Sequence, residues 1–482
     1  MTPAPLLNRL TPLGAVIIAA AMMSTTRQWA DYDIFWHLAN GRLMVEAGIF
    51  PSPDPFSWSM AGRSFVAHFA QVDRLLYLVW KAGGDTALGF VSALVFGLAL
   101  VPFALLVGRL APHPLVEALT LFTTALVVGL QRGARPHVVA FVLFGVIVYL
   151  LERPFGRWKI LAVGLALGAW AHLHGSFQVG FGLVGAAVVA WSLARDTRAA
   201  GAAALALGLA FALSLLTPYG PRLWTYPLRL VSNPYLVFNE DWASLRPLSL
   251  VGAPMGLLLL VSMAVGIWRA TDARAVAALG LVLPAIQLAR FTPFAAPLLA
   301  LAMLESLLQR YPRLKLRPRS PMFALSTSRS ARRLAWMLVA VGAVLLIPFL
   351  PSSIEAATLN GVRSLPTRAV DRLLACGRPA PVWNDYNWGG YLLWRGDARY
   401  PVGIDGRGDT LYSNEVFDEY LTVLQGQDGW EAVVHDSPAQ YALMPSDAAV
   451  AIDTLPGWRS VYSDEIATLS IRDGAQWSCQ EG

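Results

Sequence analysis

Eleven apolar runs, at about 11–28, 87–108, 114–130, 137–151, 158–173, 177–194, 200–217, 249–268, 275–289, 291–308 and 334–351, constrain this chain more than any other feature. Several are long enough to cross a bilayer as a helix. They bring the 482 residues to 56% hydrophobic and only 14% charged, a balance that a soluble chain of this length does not carry. Basic residues fall in alternate gaps: Arg109, then Arg153, Arg157 and Lys159, then Arg195 and Arg198, then Arg269 and Arg274, and last Arg310 to Arg333 with eight basic and no acidic residues. The positive-inside rule makes those gaps cytoplasmic. The N-terminus is then expected inside, with the loop 29–86, the loop 218–248 and everything after Pro351 on the outer face of the cytoplasmic membrane, in a bacterium the inner one. The net charge of +6 reports this topology and a basic linker near anionic headgroups of the membrane lipids, so nucleic acid is excluded as a partner. The first run has no small-residue cleavage site and is expected to stay as the first helix.

Composition shifts after about residue 352. Short β-like runs (Ala380 to Trp383, Tyr400 to Ile404, Tyr441 to Leu443, Ser460 to Tyr462, Ile466 to Ile471) alternate with helix-like ones (Thr367 to Ala375, Glu415 to Leu424, Ala448 to Leu455). The expected organisation is a polytopic α-helical membrane domain over 1–351, with the first outer loop 29–86, and an extracytoplasmic α/β domain over 352–482. Cys376 and Cys479 both lie in that second domain, where they either pair or remain thiols.

Candidate chemistry clusters on the expected outer face. Asp31-Tyr-Asp-Ile-Phe-Trp-His37 follows the first run, and a helix over 33–46 would put Asp33, His37, Asn40 and Gly41 on one side. A carboxylate at the lipid boundary suits general-base work on a hydroxyl or amine; the alternative is that Asp33 caps its helix. Three hairpin tips add Arg132, Arg135 and His137, then His172 and His174, then Arg290, while Glu240 and Asp241 lie in the loop before Trp242. Ionisable groups at membrane depth mark functional pathways. The guanidinium groups suit a phosphate or pyrophosphate, and the carboxylates suit proton transfer or a sugar hydroxyl.

Asp31-x-Asp33 could hold Mg2+ or Mn2+ through oxygens. His172-x-His174 does not share a helical face and lacks a specified third ligand for zinc. No metal ligand is assigned, and a divalent cation stays open as the one cofactor. In the second domain, Trp383-Asn-Asp-Tyr-Asn-Trp-Gly-Gly-Tyr-Leu-Leu-Trp394 and Tyr400-Pro-Val-Gly-Ile-Asp-Gly-Arg407 place Asp385 and Asp405 after probable strands. Aromatics beside polar groups suit sugar stacking, and the alternative is a domain core with turn aspartates. Arg407-Gly-Asp409 reads as a chance tripeptide.

Asp33 followed at fifteen residues by Gly48, then a proline-containing turn, the stretch around Phe65 and His68, and a return to the membrane after Gly83-Gly84 resembles the first outer loop of GT-C superfamily glycosyltransferases. These include lipid A aminoarabinose transferases and protein O-mannosyltransferases. Asp-x-Asp-x-Phe-Trp-His-Leu with Asp54-Pro-Phe-Ser57, Arg135-Pro-His137, His174-Gly175 and the Asn-Asp-Tyr and Ile-Asp-Gly-Arg motifs is similar to a large bacterial group of GT-C-like proteins. The resemblance implies a polyprenyl-phosphate sugar donor and a glycan, lipid or protein acceptor. It places Asp33, rather than Asp31, on the acid that activates the acceptor. On the residues themselves, the expected roles are Asp31 and His37 positioning Asp33, Arg132, Arg135 and Arg290 binding the lipid phosphate, and His137, His172, His174, Glu240 and Asp241 around the sugar or acceptor. A lipid-linked sugar transporter would spread polar residues across the bilayer and prefer internal repeats. A non-catalytic assembly factor of envelope polysaccharide biogenesis would keep the fold without needing Asp33.

Overall fold

A computed structural model describes residues 10–25, 30–110, 113–129, 133–152, 155–231, 272–315, 328–351, 353–358 and 364–479. In chain order the principal helices are α1 (Pro12–Ser24), α2 (Asp33–Arg42), α3 (Ala70–Leu110), α4 (Pro114–Val128), α5 (Pro136–Leu150), α6 (Arg157–Leu173), α7 (Phe177–Leu193), α8 (Thr197–Ser214), α9 (Arg222–Val231), α10 (Ala273–Gln287), α11 (Thr292–Arg310), α12 (Arg329–Leu345), α13 (Thr367–Cys376), α14 (Tyr386–Arg395) and α15 (Asn414–Gln425). Every expected apolar run among the described residues coincides with one of them; the run at 249–268 lies outside those residues. Among the described residues three, α3, α8 and α11, are long and apolar enough to cross a membrane by length and composition, and α1, α4, α5, α7, α10 and the stretch Arg333–Phe349 are shorter apolar helices.

Local sequence sets where these helices begin. Proline stands at the first or second position of α1, α4, α5 and α11, where its missing N–H is no loss. Thr11, Asp196, Asp272 and Ser328 each accept a backbone N–H as side-chain caps of α1, α8, α10 and α12. Helix α3 breaks at Gly83 and Gly84, and the φ of +65° at Gly84 is a conformation that a side chain disfavours.

Contacts divide the chain into two compact units. The first comprises Met1–Trp29, Thr86–Leu223 and Val237–Pro351 and contains the apolar helices. Along α4, Leu115, Leu119 and Phe122 are 69%, 67% and 60% exposed at i, i+4 and i+7, an apolar stripe that water would not tolerate and lipid would. Inside, Phe294 of α11 packs on Phe141 and Phe144 of α5, with ring centroids 5.0 and 5.1 Å apart, and on Trp170 of α6 at 6.0 Å. At one end of these helices Arg274 pairs with Glu305 at 2.5 Å and Glu152 at 3.1 Å, and Arg109 reaches Glu152 at 3.4 Å. Two of the cations that signalled topology are therefore partly neutralised by acids of neighbouring segments.

The second unit comprises Ala30–Asp85, Trp224–Leu236 and Ser352–Gly482, so the first loop groups with the C-terminal region rather than with the apolar helices. Its four-stranded sheet has the order β1 (Val382–Asn384), β2 (Tyr441–Pro445), β4 (Ala467–Arg472), β3 (Trp458–Ser463), with β1 parallel to β2 and the other pairs antiparallel. The expected strand at 400–404 is reduced to isolated bridges: Val402 pairs with Val382 on one side and with Ser57 on the other. The Phe56 carbonyl accepts from Val402 N at 3.1 Å, and Trp58 N donates to the Val402 carbonyl at 3.0 Å. The first loop thus extends the sheet by its backbone. Cys376 and Cys479 form a disulfide that closes the C-terminal region on itself.

Candidate functional site

Asp33 opens α2, but it does not cap it. The Asp33 N–H donates to Asp31 Oδ1 at 2.9 Å, so Asp31 makes the turn that starts the helix, and the Asp33 carboxylate instead accepts from Trp36 Nε1 at 3.0 Å. Asp33 is half-buried, whereas Ile34 through Gly41 are buried. The backbone at Gly406 lies directly against it: a Cβ there would stand 2.1 Å from Asp33 Oδ1 and 2.6 Å from Trp36 Nε1.

That approach is fixed by a dry ion cluster. Arg407 donates to Asp54, and to Asp405 at 2.6 Å from Nη2 and 2.9 Å from Nε, with all three side chains fully buried. Tyr412 adds a hydroxyl to Asp405 at 3.0 Å, and Asp54 in turn accepts from Phe56 N and Ser57 N at 3.1 Å each. Burial works against the Arg407 cation, yet Asp405 and Asp54 more than offset it and hold the guanidinium well above its ordinary range. Burial and the neighbouring Asp405 push the Tyr412 hydroxyl well up, so it stays a donor. Asp54-Pro-Phe-Ser57 and Ile404-Asp-Gly-Arg407, two motifs far apart in the chain, are therefore the halves of one structural device. Arg407 and Asp405 both serve the core instead of facing a ligand. Asp385 likewise caps α14, accepting from Asn387 N at 2.9 Å.

His37, Asn40 and Gly41 turn a different way. His37 Nδ1 meets Asp73 Oδ1 at 2.6 Å and Asn40 Nδ2 donates to Asp73 Oδ2 at 2.9 Å, all buried. Gly41 sits against the same turn of α3, where a Cβ would come within 2.3 Å of the Asp73 carbonyl. The carboxylate partner of His37 is thus Asp73, and its link to Asp33 runs through the Trp36 ring, whose centroid is 3.6 Å from that of His37. Asp73 was not singled out in the sequence; an acid set among Val72, Leu75, Leu76 and Tyr77 was the available signal.

In the first unit, His137 in the first turn of α5 and His174 at the end of α6 face each other with ring centroids 6.3 Å apart. His174 Nδ1 also meets Ser176 Oγ at 2.8 Å, and His172 Nε2 meets the Leu213 carbonyl at 3.1 Å. Arg135 precedes α5 immediately. Arg290 lies in a short 3-10 turn, Ala289–Phe291, ahead of Phe294, whose ring packs between Phe141 and Trp170 one turn below the two histidines. These five residues therefore gather at the end of the helices opposite the Arg274 network. Arg132, Glu240 and Asp241 lie outside the described residues. No group of three or more His, Cys, Asp or Glu side chains disposed to hold a metal ion occurs among the described residues.

No protein-family model matches the sequence, and no curated protein matches it. Solved structures do match in fold. The archaeal oligosaccharyltransferase AglB from Archaeoglobus fulgidus, in complex with an inhibitory peptide and a dolichol-phosphate, superposes with a TM-score of 0.57 at 11% identity, over 90% of this chain and 69% of that one. ArnT from Cupriavidus metallidurans bound to undecaprenyl phosphate superposes with a TM-score of 0.53 at 14% identity, over 97% of this chain and 99% of that one. The apo form of the Archaeoglobus fulgidus oligosaccharyltransferase gives 0.54 at 12% identity. The chain therefore shares the fold of AglB and ArnT along nearly its whole length.

Proposed function

We propose that this protein is a glycosyltransferase that moves a sugar from a polyprenyl-phosphate donor to an acceptor at the outer face of a bacterial cytoplasmic membrane. The observation that carries the reading is the match of 97% of the chain to a fold whose solved example holds undecaprenyl phosphate. It is joined by an acid, Asp33, at the start of the first loop, which accepts from the Trp36 indole and lies against the backbone of Gly406. Fold alone does not give chemistry, so the reading rests on both. The Cys376–Cys479 disulfide supports an oxidising location for the second unit. An orientation with the N-terminus cytoplasmic and eleven spans accords with the distribution of basic residues.

In this mechanism the Asp33 carboxylate takes the proton of the acceptor hydroxyl or amine. The acceptor atom bonds to the anomeric carbon as the bond from that carbon to the phosphate oxygen breaks, with inversion. The bonding pair leaves on the polyprenyl phosphate, whose charge Arg135 and Arg290, with Arg132, would stabilise. His137, His172 and His174 would line the sugar side, and Glu240 and Asp241 the acceptor side. Asp31 holds the turn that aims Asp33, and His37, anchored on Asp73, holds Trp36 against it. The acceptor is a glycan, a lipid or a protein.

The test is transfer from a panel of radiolabelled polyprenyl-phosphate sugars in membranes that contain equal amounts of wild type and Asp33→Asn. Transfer by the wild type, with a loss of at least about 100-fold in the variant, is the expected result for a general base. Equal transfer by both would remove Asp33 from the chemistry, and no transfer with any donor would favour an assembly factor or a transporter.

A further inference from the structure

The first half of α3, residues 70–82, precedes the break at Gly83 and Gly84 and has two faces of opposite character. Val72, Asp73 and Tyr77 are buried, where Asp73 holds His37 and Asn40 of α2 and the Tyr77 hydroxyl donates to Glu46. On the other side Leu75 and Leu78 are 52% and 41% exposed, and Ala82 is exposed one turn further on. Arg74 and Lys81, both exposed, stand at i and i+7 along one flank of that outer face. No acid opposes them there, because the single acid of the stretch, Asp73, lies on the buried side. We infer that the outer face is a docking surface for anionic phospholipid, with the leucines at the boundary of the acyl chains and the two cations on lipid phosphates.

Chain continuity selects lipid as the partner. After the break, α3 carries on as an apolar run long enough to cross a bilayer. Leu78 stands eight residues before Thr86, so with four helical and four extended steps it lies within about 20 Å of the start of that run. The helix cannot roll its leucines inward, because Asp73 is bonded to α2 and a Cβ at Gly41 would come within 2.3 Å of the Asp73 carbonyl. Half-buried Trp80, whose Nε1 donates to Asp85 at 2.7 Å, adds an indole of the kind that favours the headgroup level. Charge then selects the headgroup. Arg74 has no ion pair or hydrogen bond among the described residues, so its guanidinium is open to a phosphate. Lys81 Nζ meets Glu46 Oε1 at 3.1 Å, but both side chains of that pair are about half exposed, and the ammonium keeps donors for a second acceptor. Long aliphatic stems let both cations reach phosphates while the leucines stay among acyl chains, the arrangement of a helix that lies in the interface plane.

The experiment uses the full chain in phosphatidylcholine nanodiscs. Cys376 and Cys479 are joined to each other, so Leu78→Cys supplies a reactive thiol for a bimane fluorophore. Glu431→Cys, at an exposed position of the C-terminal region, supplies an aqueous reference label. The quenchers are iodide in the water, and phosphatidylcholine or phosphatidylglycerol brominated on the acyl chain and mixed in at equal mole fraction. The label at position 78 is expected to be quenched by brominated lipid and shielded from iodide, with the reverse at position 431. Brominated phosphatidylglycerol should quench it more strongly than brominated phosphatidylcholine, through a local enrichment of up to about fivefold per cation. That preference should shrink in Arg74→Gln and vanish when Lys81→Gln is added, with thermal unfolding at the wild-type midpoint. Equal iodide quenching at 78 and 431 would overturn the docking surface, and so would shielding of 78 from both iodide and lipid, the result if protein or a second copy of this chain covers the face. Equal quenching by the two brominated lipids would overturn the choice of an anionic headgroup. No sugar donor enters the measurement, so its failure is distinct from a failure of the transferase reading.

Discussion

The two arginine networks of this molecule solve opposite problems. Arg274 stands at the end of the apolar helices with three acids around it, Glu305, Glu152 and Asp272, and keeps 14% of its side chain exposed. Arg407 has two acids and no exposure at all. A half-wet network can lose a partner and recruit water, so it joins helices at modest cost. A dry one has no such recourse, because each charge is tolerable only while the others are present. The dry network stands one residue from the glycine that touches Asp33.

The sharpest way to break this contrast is Arg407→Ala, which strands Asp54 and Asp405 in a dry site. It should destabilise the second unit by about 3–5 kcal/mol, read as a fall in the thermal or denaturant midpoint of the tail, with sugar transfer lost alongside. A loss under about 1 kcal/mol would mean that the cluster hydrates readily. Gly406→Ala separates position from stability. Its Cβ would collide with Asp33 Oδ1, so transfer should fall at least about 100-fold, near 2.7 kcal/mol in the barrier, while unfolding shifts little. Unchanged transfer would show that the acid moves freely. Arg274→Ala completes the comparison with the smallest effect, about 1 kcal/mol in stability and transfer within about threefold of wild type. A loss equal to that of Arg407→Ala would erase the distinction between the networks.

Helices of the first unit were legible as apolar runs, several of them opened by a chemical start signal such as Thr11-Pro12, His113-Pro114 or Arg135-Pro136. The β-runs at 441–443, 460–462 and 466–471 were legible as short β-like runs set between helix-like segments. Helix α14 was not. Tyr386-Asn-Trp-Gly-Gly-Tyr has little intrinsic helical preference, and tertiary contact overrides it: a side chain at Gly389 would collide with the Ile404 carbonyl, and one at Gly390 would crowd Trp36. The helix expected at 448–455 shrinks to a single 3-10 turn, Ile452–Thr454, because Pro456 follows at once. At the site, the residue types of Asp31, Asp33 and His37 were readable, but their partners were not. Asp73 is 36 residues from His37, and Asp54 is 353 residues from Arg407. Neither pairing leaves a local pattern, since only the folded backbone brings them together.

The 353-residue separation has a consequence for biosynthesis. The segment with Asp33, Asp54 and Ser57 is made well before its strand partner Val402, its counter-cation Arg407 and the backbone at Gly406. Until those residues have been synthesised, Asp54 lacks the Arg407 cation and the early loop lacks the sheet it joins. The ribosome must therefore deliver the intervening apolar helices before the surroundings of Asp33 are complete, so a prematurely terminated chain that lacks Gly406 and Arg407 carries Asp33 without the backbone that lies against it.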